Sequence, residues 1–171
     1  VYEPGTPGYR KPETDEKMQY WGYMGELLAE HYCIENDINC KFVTLLDDKP
    51  VIGSDSLIGN TRIDYKSGSL TYTCKYTDEE RKNFRLQVSG DSYNNPGNDT
   101  EEYHFMRINV DMRVCDVYVV DAKEIADWEE SYYHSSTLEA DITPFDLERE
   151  YDATPLVVTD STIMDELYDK D

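Results

Sequence analysis

Hydrophobic positions change their spacing along this chain. In "TDEKMQYWGYMGELLAEHY" (14–32), Met18, Trp21, Met24 and Leu28 recur at steps of three and four. That period predicts a short amphipathic helix, opened by a Thr/Asp cap and weakened by Gly22 and Gly25. Short apolar runs follow. "EHYCIE" and "CKFVTLL" are joined by "NDIN", and "GNTRIDYK" and "LTYTCKYT" by the turn "SGS". "NFRLQVSG" alternates Phe84, Leu86 and Val88 with polar neighbours, and "EYHFMRINV" and "MRVCDVYVV" flank Asp111. These runs predict about seven strands at meander spacing, hence an up-and-down antiparallel barrel, which closes and leaves no free edge. "EIADWEESYYHS" fits a last strand or a short helix. "DITPFDLEREYD" predicts a C-terminal helix with Thr143 as cap and Pro144 in the first turn, where the dipole favours Asp146 and Glu148. The expected organisation is an irregular leader (1–13), one barrel domain with flanking helices (14–155) and an acidic tail (156–171).

Length and charge narrow the function. A chain of 171 residues supports one domain with a real core. A net charge of −21 repels phosphate backbones and anionic lipid, so nucleic-acid and membrane-surface partners are excluded in favour of basic ones, unless the charge serves solubility alone. No apolar run approaches the roughly 20 residues that span a bilayer. His31, His104 and His134 are scattered, and no nucleophile elbow, phosphate loop or metal motif is present. The reading is therefore non-enzymatic, with neither metal nor cofactor. Four cysteines, Cys33, Cys40, Cys74 and Cys115, suggest two disulfides with three possible pairings. Cys33 can face Cys40 across "IENDIN", leaving Cys74 with Cys115, and the other pairings stay open. A sequon at Asn98 lies in a Gly/Pro/Asn-rich loop, and the chain starts at Val1 without a signal peptide. Cysteines, sequon and start together predict a secreted protein.

The order of elements resembles the salivary lipocalins of ticks. A helix carrying Trp21 is followed by hairpins, then by Cys115-Asp116-Val117-Tyr118 in "CDVYVV", then by acid and Trp128, over roughly residues 14 to 134. The family's amine binders carry C-terminal cysteines, whereas this chain has none after Cys115. Its charge, its size and "YYHSSTLEADITPFDLEREYDATP" are similar to one subgroup, the Isac-type anti-complement proteins. That resemblance implies an inhibitor of the alternative complement pathway that binds host properdin and displaces it from the convertase. It also implies a partner with exposed Arg and Trp, which carboxylates and Tyr rings suit. The family alternative is a scavenger of histamine, serotonin or a lipid mediator.

Candidate contact residues follow from the acidic C-terminal third: Asp146, Glu148, Glu150, Tyr151, Asp152, Asp165, Glu166 and Tyr168. The bland alternative is a solvated helix that packs Phe145, Leu147 and Tyr151 on the barrel. Tyr151 and Tyr168 stand among acids, a context that also suits sulfation. Trp21 and Trp128 either close the barrel bottom or line a ligand pocket. An amine site would need an inward carboxylate, for which Asp64, Asp116 and Glu35 are candidates. Alternation points Cys115 and Asp116 to opposite faces.

Overall fold

The computed structural model describes residues 12–42, 54–109, 112–132, 136–142 and 147–152. Helix α1 spans Pro12–Glu35. It starts within the expected leader and absorbs "EHYCIE", which was expected to be a strand. The reason is packing: Met24, Leu28 and Ala29 are buried on one side of the helix, and Cys33 continues that row into the last turn.

The strands are β1 (Cys40–Phe42), β2 (Ser56–Ile58), β3 (Thr61–Ser69), β4 (Thr71–Thr73), β5 (Glu80–Lys82), β6 (Arg85–Ser89), β7 (Glu102–Asn109), β8 (Val114–Asp121), β9 (Glu129–Glu130), β10 (Thr137–Asp141) and β11 (Leu147–Asp152). A helical turn, α2 (Gly90–Tyr93), follows β6, and a 3-10 turn (Ala122–Asp127) follows β8. The protein is mainly β with an N-terminal helix, as expected. Its sheets do not form the expected closed barrel among the described residues. Six strands run in the order β1-β2-β3-β7-β8-β11, with β1 and β11 at the margins. Three more form β6-β10-β9, and β4 pairs with β5.

The departure from a meander is localised. β3 was expected to turn at "SGS" into a hairpin with the next strand. Instead it runs through Gly68 to Ser69 and pairs in parallel with β7, Asp64 opposite Tyr103 and Gly68 opposite Arg107. A parallel pair needs a long crossover. Residues 70–101 supply it, carrying the β4–β5 hairpin and β6 out of the sheet. Gly68 has a local reason to be in the strand, because a Cβ there would press on the Arg107 guanidinium. β2 and β3 are joined by Gly59-Asn60, where Gly59 at φ 61° suits a two-residue hairpin turn.

The six-stranded sheet is covered on both faces. On one, α1 packs Met24, Leu28 and Ala29 on Ile63, Tyr65, Met106, Ile108, Cys115 and Val117. On the other, Leu86, Val88, Ile125 and Ile142 pack on Tyr103, Phe105, Tyr118 and Val120. β7 is accordingly buried along both faces. Cys115 joins the helix-side cluster and Tyr118 the opposite one, which matches the expected alternation along β8.

The C-terminal helix is a further correction. Leu147–Asp152 is strand β11, paired antiparallel to β8 with Tyr151 opposite Cys115, and a bulge lies between Leu147 and Arg149. β8 without it would leave a margin of unpaired backbone groups. That tertiary demand overrides the helix-start signal at Thr143-Pro144, which lies outside the described residues.

Candidate functional site

Of the predicted contact residues, Glu148, Glu150, Tyr151 and Asp152 lie on β11 at the sheet margin. Asp146, Asp165, Glu166 and Tyr168 lie outside the described residues. The helix-dipole rationale for Asp146 and Glu148 falls with the helix. Glu150 sits opposite Asp116 in the ladder.

A different set of acids is gathered around the three-stranded sheet. The end of the 3-10 turn, β9, β10 and the start of β6 enclose a groove of about 380 Å³ lined by Arg85, Asp127, Glu129, Glu130, Tyr132, Glu139, Ala140 and Asp141. Pairing brings them together: Glu139 lies opposite Glu129, and Asp141 opposite Arg85. Arg85 Nη1 bonds Glu139 Oε2 at 2.6 Å, with the arginine 65% and the glutamate 9% exposed. Tyr132 stands 93% exposed on the rim. Five carboxylates against one guanidinium make the groove strongly negative, and a cation entering it meets charge already assembled. Below the rim, Arg107 is buried and donates from Nη2 to the Arg85 carbonyl at 2.6 Å, fixing the backbone that carries Arg85. Burial lowers the Arg107 pKa to about 10.

A second acidic cluster is internal. Asp64 Oδ1 meets Lys66 Nζ at 2.7 Å, the two side chains being 16% and 34% exposed. Asp55 Oδ2 accepts from the Tyr65 amide at 2.8 Å. Glu26, from α1, is pushed up to about 8, first by burial and then by the charges of Asp55 and Asp64. Burial and Asp64 raise Asp55 to about 6. Burial also raises Asp64, outweighing the opposing pull of Lys66. Lys66 is raised too: burial works against its charge, but Asp64 and Asp55 prevail. Its ammonium also lies 6.0 Å from the Tyr103 ring centre.

The amine-site candidates do not converge. Asp64 is engaged by Lys66. Asp116 is half-buried opposite Arg107, four positions along β7 from Tyr103, the residue opposite Asp64. Glu35 is exposed at the end of α1. The two tryptophans are also separated. Trp21 packs on the helix-side cluster, while Trp128 packs on the other, 5.7 Å from the Phe105 ring centre. They therefore line no common pocket. His104 is buried with Nε2 2.6 Å from Glu102 Oε1 and lies edge-on to Tyr65, a structural placement.

Asn98 is committed internally. Its Nδ2 donates to the Tyr93 carbonyl at 3.1 Å and to the Tyr103 hydroxyl at 3.0 Å, while its Oδ1 accepts from the Thr100 amide. N-glycosylation would use that nitrogen and disturb both bonds. The four cysteines stand as thiols, in contrast to the two disulfides expected. Cys33 and Cys40 are within hydrogen-bonding reach of each other. Cys74 and Cys115 are not brought together. Cys115 is fully buried beside Arg107 and Asp116, whereas Cys74, in the β4–β5 loop, bonds Thr77 and Tyr76.

Among the described residues, no three His, Cys, Asp or Glu side chains are placed to hold one metal ion. No helix among them is long and apolar enough to cross a membrane. The chain matches no protein-family model, no curated protein and no solved structure. The likeness to tick lipocalins therefore rests on the quoted residues and their order.

Proposed function

We propose that this protein is a secreted, non-enzymatic binder of a basic host protein, and that the partner is properdin, whose displacement from the convertase blocks the alternative complement pathway. The partner's name comes from the resemblance to the Isac-type proteins. The observation that carries the binding mode is the groove at β6, β9 and β10, with five carboxylates, one paired arginine and an exposed Tyr132. Carboxylates pair with guanidinium groups, and a Tyr ring supplies stacking area at low entropic cost. Glu148, Glu150 and Asp152 of β11 remain the secondary candidate contacts in this reading.

The lipocalin fold belongs to the same proposal. An N-terminal helix on a mainly β body and Cys115–Tyr118 on an inner strand support it, while the parallel β3–β7 pair departs from it. The amine-scavenger reading is weaker because Lys66 already pairs with Asp64.

The test is binding to immobilised properdin at about 50 and 300 mM salt, with histamine and serotonin calorimetry alongside. Tight binding that weakens about tenfold at the higher salt, with silent calorimetry, is expected. Amine heats without properdin binding would overturn the reading.

A further inference from the structure

We propose that Cys33 and Cys40 join as a disulfide in an oxidising compartment, stapling the last turn of α1 to the marginal strand β1. The connecting residues, 34–39, hold both ends in place. Asp37 takes φ 53°, and the Ile38 amide donates back to the Cys33 carbonyl at 2.8 Å. The Asn36 amide and side chain both donate to the Tyr32 carbonyl, at 3.1 and 2.8 Å. On the strand side, Cys40 pairs with Ile58, and the Gly59 amide donates to the Asn39 carbonyl at 3.0 Å. The backbone between the two cysteines already reverses direction, and their thiols stand within hydrogen-bonding reach of each other.

The surroundings set when the bond is made. Cys33 is only 2% exposed. Burial, then the neighbouring Cys33, pushes the Cys40 thiol up to about 12. Thiolate is the attacking species, so the folded dithiol reacts slowly and the closed bond is shielded from reductants. The bond therefore forms while the chain is folding. The oxidant is a small disulfide such as glutathione disulfide. Both S–H bonds are lost and one S–S bond forms, and the two hydrogens with their electrons reduce one glutathione disulfide to two glutathione thiols. β1, otherwise held by β2 on one side, is then covalently tied to the helix.

The sequence makes the test direct. Lys17 and Lys41 bracket both cysteines, and Glu35 and Asp37 lie between them. The whole chain is refolded in a glutathione redox buffer, its remaining thiols are alkylated, and its peptides are mapped by mass. The expected result is an unalkylated tryptic peptide 18–41, about 2 Da lighter than its dithiol, that cleavage at the intervening acids leaves joined. A doubly alkylated peptide, or a link from either cysteine to Cys74 or Cys115, would overturn the proposal. Oxidation of the reduced, folded protein should run at least about tenfold slower than in urea, and equal rates would contradict the shielding.

Discussion

Two groups of carboxylates in this protein meet opposite fates. Glu26, Asp55 and Asp64 are largely buried and raise one another's affinity for protons, while Lys66 pairs with Asp64 and is also felt by Asp55. Asp127, Glu129, Glu130, Glu139 and Asp141 line a groove around Arg85, all but Glu139 exposed. In the inner group burial favours the neutral form, and protons or an ammonium quench the charge. In the outer group Arg85 pairs with Glu139, and water reaches the exposed carboxylates of Asp127, Glu129, Glu130 and Asp141. The acids are of the same kind; packing decides whether they are neutralised inside the fold or keep their charge at its surface.

Lys66→Met should have the largest effect on stability, leaving Asp64 and Asp55 without their cation. A loss of about 2–3 kcal/mol is expected in urea unfolding, reduced from the fully buried case because Lys66 is partly open to water. Gly25→Ala comes next. A Cβ there would collide with Ser67 Oγ and press on Met106 Sδ, lifting the helix turn that carries Glu26. Overpacking should cost about 1–3 kcal/mol against a helix-propensity gain of under about 1. A thermal midpoint equal to or above wild type would show that α1 is not held closely to β3.

The pH response separates the two groups more finely. A carboxyl raised in the folded state holds a proton that the unfolded chain has released. Its stabilising contribution is complete below the unfolded pKa of about 4 and is lost as pH rises through the folded value. For Asp55 that value is about 6 and for Glu26 about 8, so their share of stability should decline from mildly acid to mildly alkaline conditions. Glu26→Gln should flatten the upper part of that decline in denaturation curves taken across the range. An unchanged slope would remove Glu26 from the inner group. The smallest change in stability is expected in the groove, where Glu129→Gln with Glu130→Gln should shift it by under about 0.5 kcal/mol.

The sequence carried the parts of this structure that depend on local pattern. The apolar alternation around Asp111 placed β7 and β8, and the spacing of Met24 and Leu28 placed the buried side of α1. What it missed depends on distant partners. Nothing near Ser67-Gly68-Ser69 signals that β3 continues to a parallel neighbour some forty positions on. "LEREYD" is too short to choose its own period, and the margin of β8 chose for it. The groove was hidden for a similar reason. Arg85, Glu129 and Asp141 sit in separate stretches where each reads as an ordinary solvated residue, and only the β6-β10-β9 pairing gathers them. The clue that did exist was "DWEESYY", acids interleaved with aromatics at the end of the turn that follows an inner strand.

The most direct measurement is the properdin affinity of the groove variant Glu129→Gln, Glu130→Gln, Asp141→Asn beside that of Glu26→Gln, both confirmed as folded. The account predicts at least about a tenfold loss for the groove variant, about 1.4 kcal/mol, and none for Glu26→Gln. Unchanged affinity in the groove variant would contradict it and return the contact surface to β11 and the residues beyond.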